Sequence, residues 1–187
     1  MNIQPTYPGT AEEFLVWNEG REGKREFVRG KVVEMMINVS RNHVRLATRL
    51  LKQLADQLGM DHFDIGSADF GVRTDDGIRF PDIFVEAAGG SGRDLATDRP
   101  LLVAEILSPS SIADDFGPKA QDYLAIGSLR HYLVLSQDEP RIWLWSRDAE
   151  GGWSGPQMIA GTDGPVVLDG LDVTLDMKAL YTGVASA

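Results

Sequence analysis

The sequence predicts a mixed α/β fold, an α+β arrangement in which helices flank a central mixed sheet. Three observations support this fold class. Apolar residues recur at a helical period over residues 41–58. Short apolar runs bounded by Gly, Pro and Asp recur over residues 69–107 and 131–159, which is typical of buried strands. Because helical and strand segments are interleaved along the chain, we expect them to pack around one sheet.

Four elements are predicted before residue 60. Thr10 begins a short helix as part of a capping box. Arg29-Gly30 separates two strand-like runs and indicates a tight hairpin, because glycine accepts the positive φ that such turns require. Ser40 suits the N-cap and Gly59 the C-cap of the long helix at 41–58. The two hairpin strands are predicted at residues 25–28 and 31–35.

The rest of the chain is predicted to be rich in strands. Residues 87–99 are rich in Gly, Ser, Arg and Asp and are expected to form a surface loop. The Ser108-Pro109-Ser110-Ser111 segment is predicted to terminate a strand, and a helix follows from about 118 to 125. One or two helical turns are expected at 175–180. The predicted strands are residues 69–73, 78–86, 101–107, 131–135, 141–145 and 153–159.

The composition limits the class of protein. A length of 187 residues with 43% hydrophobic residues fits one compact domain, residues 1–187. The absence of cysteine excludes disulfides and thiolate metal sites, and three scattered histidines do not favour structural zinc. The first residues lack a basic and apolar leader pattern, and no apolar run reaches the roughly 18–20 residues of a membrane span. We therefore expect a cytoplasmic protein that does not enter a membrane.

The net charge of −10 argues against a broad nucleic-acid surface, because phosphate contacts usually require a basic footprint. A narrower site is still compatible with this charge. Bound cations dominate the local potential, so a cleft with a metal ion and a few Arg or Lys side chains can bind phosphate on an acidic protein.

The candidate site begins with Glu105, which lies at the centre of the apolar run 101–107. An unpaired carboxylate buried there would cost several kcal/mol, so it requires a basic partner, backbone donors or a cation. Asp82 lies in a second apolar run, and Lys119 opens the following helix. Two carboxylates suit Mg²⁺, which can activate water for phosphodiester hydrolysis, and a lysine can neutralise phosphate. Alternatively, Glu105 pairs with a basic residue such as Lys119, and Asp82 caps a turn.

Several segments resemble the Uma2 family, also called DUF820, which is described as restriction endonucleases of the PD-(D/E)XK nuclease fold. The likeness spans about residues 10–145, and its most specific part is the EILSPSS segment with the lysine and tyrosine that follow it. The matching residues are Pro81-Asp82, Leu101 to Ser111 (LLVAEILSPSS), Asp114, Asp115, Lys119, Tyr123, Gly127 to Val134, Arg25 to Val32 and Ser40 to His43.

The resemblance implies a restriction-endonuclease-like core of αβββαβ type and a DNA endonuclease that depends on Mg²⁺ or Mn²⁺. Asp82 takes the place of the motif's Asp and Glu105 that of its acidic residue, so both are the implied metal ligands. In the ordinary motif a lysine follows the acid by two residues. Here that position is Leu107, and Lys119 on the next helix would supply the amine instead.

Three further residues are accessory candidates, each with a structural alternative. Glu26 is either an extra ligand or a solvated strand charge. His43, in the first turn of the long helix, is either part of the site or a capping residue. Tyr123, one helical turn after Lys119, either steadies the lysine or a phosphate or packs in the core.

Two functions remain open from the sequence. The first is a metal-dependent endonuclease that acts on DNA. The second is a catalytically degenerate nuclease fold that serves as a binding or interaction module. A homodimer is expected in either case, and Trp143, Trp145 and Trp153 are predicted to lie in the core or on a dimer surface.

Overall fold

The structure is a computed structural model of the chain and describes residues 7–35, 38–108 and 111–184. The helices within these ranges are Ala11–Asn18 (α1), Arg41–Leu58 (α2), Ile112–Asp115 (α3), Pro118–Leu124 (α4) and Met177–Tyr181 (α5). The strands are Lys24–Val28 (β1), Lys31–Met35 (β2), Phe63–Ser67 (β3), Gly71–Thr74 (β4), Gly77–Arg79 (β5), Ile83–Ala87 (β6), Ala96–Thr97 (β7), Leu102–Ile106 (β8), His131–Leu135 (β9), Arg141–Arg147 (β10), Trp153–Ala160 (β11), Pro165–Leu168 (β12) and Val173–Asp176 (β13).

A six-stranded mixed sheet forms the centre of the fold, in the order β11-β10-β9-β8-β6-β3. Strands β8 and β9 are parallel, and the connection between them carries α3 and α4, as a parallel pair requires a crossover. This mixed sheet with flanking helices confirms the predicted α/β fold class. The prediction of one sheet is wrong, because the described residues also form a five-stranded sheet, β2-β1-β5-β4-β7, and the pair β12-β13.

The two faces of the central sheet bury separate cores. On β6, Ile83 and Val85 face one core, where α2 contributes a leucine at every turn from Leu46 to Leu58. Phe84 points to the other face, where it joins Val103 and the helix-borne Tyr123. This alternation follows from the two-residue period of a strand. Each face is therefore covered, and the second face is the one on which polar groups gather.

Helix α2 has the predicted bounds. Ser40 accepts a hydrogen bond from the backbone N–H of His43 at 3.1 Å, and Gly59 ends the helix at φ 77°. The Ser40 hydroxyl also donates to the side chain of Gln137, next to the end of β9. The helix start is thereby fixed against the central sheet, and His43 is held in its first turn.

The predicted strand at 78–86 is wrong as one element. It is divided into β5, which pairs with β1 and β4, and β6, which pairs with β3 and β8. The division falls at Phe80–Asp82, where Pro81 has no N–H to donate to a ladder. Because the two halves enter different sheets, Asp82 lies at the point where these sheets separate.

Other elements differ from the prediction in detail. Strands β3, β7, β12 and β13 and the short α3 were not predicted. Strand β7 lies in the expected surface loop at 87–99, where it pairs with β4 and buries Thr97. The expected tail helix at 175–180 is the end of β13 followed by α5. Strand β8 ends at Ile106, while Pro109 and Ser110 lie outside the described residues. No helix in the described ranges is long and apolar enough to cross a membrane.

The tryptophans pack inside the protein. Trp145 is buried in the second core, and Trp143 packs edge-on against Phe116 with ring centroids 5.0 Å apart. Trp153 is half-buried, and its indole N–H donates to the carbonyl of Leu124. Of the two predicted roles for these residues, their contacts correspond to core packing.

Candidate active site

Two neighbouring strands bring Asp82 and Glu105 to one place. Ile83 on β6 lies opposite Ala104 on β8, so Asp82 and Glu105 occupy the next pair of positions on the same sheet face. Both are buried, with 8% and 4% of their surface exposed. The backbone N–H of Ile106 donates to Asp82 Oδ2 at 2.8 Å, which ties the two chain segments directly.

Helix α4 delivers two donors to Glu105. Lys119 Nζ lies 3.2 Å and Tyr123 Oη 3.0 Å from the same oxygen, Glu105 Oε1. The i, i+4 spacing of the donors places them on one face of the helix. Their meeting at Oε1 leaves Glu105 Oε2 without a hydrogen bond to any described residue. The expected neighbourhood of Glu105, Lys119 and Tyr123 is therefore what the structure shows.

Lys119 is shared among three carboxylates. Its Nζ lies 3.2 Å from Glu105 Oε1, 3.5 Å from Glu26 Oε1 and 3.5 Å from Asp115 Oδ1, and the residue is 3% exposed. Burial alone would lower the pKa of Lys119, but the three carboxylates outweigh burial and raise it. The side chain therefore stays an ammonium at neutral pH.

Asp82 has basic partners of its own. His43 Nε2 lies 3.2 Å and Lys24 Nζ 4.0 Å from Asp82 Oδ1. Burial would raise the pKa of Asp82, but the hydrogen bond and charge of His43, the Ile106 N–H and Lys24 together lower it. Asp82 is therefore a carboxylate at neutral pH. The predicted turn-capping role does not match its contacts, because its backbone donor lies across the sheet.

Glu105 titrates in the opposite direction. Burial raises its pKa to about 8, Lys119 counteracts this only in part, and the charges of Asp82, Asp115 and Glu26 add to the rise. Burial likewise raises the pKa of Asp115, again against Lys119. Strongly shifted pKa values of this kind cluster at functional sites and in buried ion-pair networks.

Arg79 is the principal residue that the sequence prediction missed. Its guanidinium contacts Glu26 Oε2 at 2.7 Å and Asp122 Oδ2 at 2.6 and 2.9 Å, and it is 4% exposed. Glu26 therefore bridges Arg79 and Lys119, and it also accepts the N–H of Phe80 at 3.3 Å. The signal was available, because Arg79 interrupts an apolar run just as Glu105 does.

The structure brings all six candidates together as two adjoining buried groups, which the Ile106 N–H links: His43 with Asp82, and Glu26 with Lys119, Glu105 and Tyr123. Glu26 is neither a solvated charge nor an open ligand, since both of its oxygens already face cations. Within the described ranges, no three His, Asp or Glu side chains are grouped closely enough to hold a metal ion by themselves. A cation here would have at most two carboxylates from the protein.

Comparison with known proteins supports the resemblance. Residues 11–178 match the model of the Uma2 family, whose description is "Putative restriction endonuclease". An uncharacterized protein of Synechocystis sp. is 30% identical over 148 residues, which cover 76% of each chain. A second uncharacterized Synechocystis protein is 28% identical over 149 residues, which cover 77% of this chain and 84% of that protein.

A solved structure shares the fold. The crystal structure of "a putative nuclease belonging to DUF820" from Anabaena variabilis ATCC 29413 superposes with a TM-score of 0.73, over 95% of this chain and 99% of that chain. At 16% identity, this likeness concerns the fold alone. The family match spans most of the chain and includes every candidate site residue, so the protein belongs to the Uma2 family of restriction-endonuclease-like proteins.

Proposed function

We propose that this protein is an endonuclease that hydrolyses DNA phosphodiester bonds with Mg²⁺ or Mn²⁺ at Asp82, Glu105 and Lys119. One observation carries the proposal. Glu105, a buried carboxylate on β8, contacts an ammonium that two further acids share, and a second buried carboxylate, Asp82, lies at the neighbouring position across the sheet, in a chain of a nuclease-like family. The proposal takes residues 1–187 as one nuclease domain.

The donor set suits a hard divalent cation. Asp82 Oδ1 and Glu105 Oε2 are carboxylate oxygens, and Mg²⁺ typically takes one or two carboxylates together with waters and phosphate oxygens. Burial, with the charges of Asp82, Asp115 and Glu26, raises the pKa of Glu105, and a bound cation would favour its carboxylate form. When bound, the metal would supply Lewis acidity that activates water and stabilises the developing phosphate charge.

Lys119 and Tyr123 act as donors in this proposal. The raised pKa of each keeps Lys119 charged and the Tyr123 hydroxyl protonated at neutral pH. Neither group can therefore serve as a general base. The ammonium of Lys119 supplies a fixed positive charge to a phosphate bound beside Glu105, while Tyr123 holds Glu105 Oε1 so that the other oxygen is directed away from the helix.

His43 and the Ile106 N–H orient Asp82. One carboxylate oxygen contacts the imidazole and the other accepts the backbone N–H, so the side chain has little rotational freedom. A pre-oriented ligand binds a cation with less loss of conformational entropy. Partners of this kind commonly tune a metal site without touching the metal.

A catalytically inactive binding module is the second candidate function. The observation that favours it is that Lys119 and Tyr123 already compensate the buried charge of Glu105. A cation is then not required to explain why this carboxylate lies inside the protein. The two candidates differ in whether DNA is cut.

The proposal also includes DNA as the substrate, the cytoplasm as the location and a homodimer as the oligomeric state. A nuclease that hydrolyses both strands of a duplex benefits from two copies of its site. The tryptophans offer little dimer surface, since Trp145 is buried and Trp143 is half-buried against Phe116. Sedimentation velocity of the purified protein, with and without DNA, tests the predicted dimer.

Cleavage of supercoiled plasmid over a series of Mg²⁺ and Mn²⁺ concentrations tests the function. We expect nicked and linear products only with metal, and none with Asp82→Ala. Glu86→Gln is the matched control, because Glu86 is a buried carboxylate on the same sheet whose partners lie outside the site. It should cut as the wild type does.

Two results would contradict the nuclease. Equal cleavage by wild type and Asp82→Ala would assign the activity to a contaminant. No cleavage of plasmid, linear or single-stranded DNA by the wild type would favour the binding module instead.

A further inference from the structure

Positive charge is concentrated in one part of this acidic chain. Residues 21–49 carry eight of the 18 basic side chains and three of the 28 acidic ones, although the whole chain has a net charge of −10. The remaining residues therefore hold ten basic and 25 acidic side chains. In the structure, residues 21–49 contain the β1–β2 hairpin and the first half of α2, apart from 36–37, which lie outside the described ranges.

This basic segment borders the candidate active site from two directions. Lys24, at the start of β1, lies 4.0 Å from Asp82 Oδ1. His43, in the first turn of α2, lies 3.2 Å from the same oxygen. The hairpin and the helix start thus meet at Asp82.

The register of the hairpin places a second lysine on the face of the active site. Lys31 lies opposite Val28, and alternate residues of β1 share a face, so Lys31 lies on the same side as Lys24 and Glu26. Glu26 contacts Lys119, which shows that this side faces the site. Val28 is four positions along β1 from Lys24, which is about 13 Å along the hairpin.

Arg41 adds a further positive charge at the start of α2. It is the first residue of α2, two positions before His43, and it is exposed. Lys31 is exposed as well. Among the residues that the structure describes, neither side chain has an ion-pair partner, so both charges are available to a ligand.

We propose that Lys24, Lys31 and Arg41 form a basic surface that binds the phosphate backbone of DNA across the active site. The inference rests on the proposed function and adds the surface by which an acidic protein holds a polyanion. Charge complementarity carries it, since the three cations lie on the two elements that meet at Asp82, in a site whose carboxylates would otherwise repel phosphate. The contacts are with the backbone, so they hold and position the duplex without reading its sequence.

Fluorescence anisotropy with a labelled DNA duplex, measured in EDTA over a salt series, tests this surface. The double variant Lys31→Gln with Arg41→Gln leaves Asp82 and its contacts in place. The matched control is Arg93→Gln with Lys178→Gln, which removes two exposed charges elsewhere. Thermal unfolding should show that both double variants keep the stability of the wild type.

We expect the first double variant to bind DNA about tenfold more weakly at low salt, while the control stays within about twofold. The slope of log K against log salt concentration should fall by about 1.8, because each lost phosphate contact removes about 0.9. Three results would overturn the proposed surface. Both double variants could lose DNA affinity equally, the first could bind as the wild type does, or the wild type could fail to bind DNA.

Plasmid cleavage by the same preparations separates this inference from the proposed function. A wild type that binds through this surface but never cleaves DNA would overturn the nuclease and retain the surface. A wild type that cleaves while the first double variant binds normally would overturn the surface and retain the nuclease.

Discussion

Two carboxylates on one face of the central sheet are equally buried but have different surroundings. Glu105 on β8 is 4% exposed and Glu86 on β6 is 5% exposed. Glu86 accepts a hydrogen bond from Thr97 at 2.7 Å, lies 3.5 Å from Arg99, and lines a pocket of about 670 Å³. Glu105 instead contacts a fully buried ammonium and tyrosine, with further carboxylates nearby.

The difference shows that burial of a carboxylate does not by itself identify a site. Arg99, the cation beside Glu86, is half-exposed, so water shares in solvating that pair. Lys119 is enclosed and is divided among Glu26, Glu105 and Asp115, so negative charge remains in excess. A cation is therefore expected to bind beside Glu105 and not beside Glu86.

The largest expected contrast is in catalysis. Glu105→Gln should reduce the rate of Mg²⁺-dependent plasmid nicking by more than roughly 100-fold. That factor is the upper range for mutating a residue that only contacts a metal ligand. Glu86→Gln should leave the rate unchanged. Initial nicking rates of the two variants, measured side by side, check this. Equal losses would mean that the sheet and not the site was damaged.

Removal of the cations gives the next contrast. Lys119→Met leaves three buried carboxylates without their ammonium and should cost about 3 kcal/mol of unfolding free energy. Arg99→Met beside Glu86 should cost under about 1 kcal/mol, because Arg99 is half-exposed and Glu86 keeps its hydrogen bond from Thr97. Urea unfolding measures both, and similar costs would remove the distinction. Lys119→Met should also abolish cleavage.

The pH dependence of stability gives a third contrast. Because burial raises the pKa of Glu105 from 4.5 to about 8, the folded protein holds a proton there that the unfolded chain has released. This carboxyl therefore makes the metal-free protein less stable as pH rises from about 4.5 to about 8. Glu105→Gln has no carboxyl group at this position and should not lose stability in this way.

We accordingly expect the unfolding free energy of metal-free Glu105→Gln to rise relative to that of the wild type over that pH range, by on the order of a few kcal/mol. Urea unfolding at several pH values in EDTA measures the difference. A gap between variant and wild type that is constant with pH would contradict the shifted pKa of Glu105. Calorimetry should also show that this variant no longer binds Mg²⁺ or Mn²⁺.

The smallest expected effect concerns a partner of Asp82. His43→Ala removes the imidazole that orients Asp82 Oδ1 and should slow cleavage about tenfold. Thr97→Val, which removes the hydroxyl partner of Glu86, should cost about 1 kcal/mol of stability and leave cleavage unchanged. Nicking rates and thermal unfolding of both variants distinguish orientation at the site from general destabilisation.

Local signals in the sequence predicted the parts of the structure that depend on nearby residues. The bounds of α2 follow from the cap at Ser40, a leucine at every turn and Gly59. Lys119 and Tyr123 could be placed together because four residues of helix separate them. The placement of Glu105 beside them followed from the cost of burying its charge.

Features set by distant residues could not be predicted in this way. The apolar run 78–86 gives no sign that its two halves enter different sheets, since both halves are equally buried. Arg79 meets Glu26 and Asp122 across 53 and 43 residues of sequence. Only the tertiary fold reveals that Glu26 joins Arg79 to Lys119.

The most direct measurement is an anomalous difference map from a crystal grown with Mn²⁺. We predict a peak between Asp82 and Glu105, within about 2.2 Å of an oxygen of each carboxylate, close to the distances that Mg²⁺ requires. The same peak should be absent from Glu105→Gln crystals. Two results would contradict the proposed site. One is a distance of more than about 8 Å between the Asp82 and Glu105 carboxylates, which is too far for one cation to reach both. The other is a peak in the Glu86 pocket with none beside Glu105.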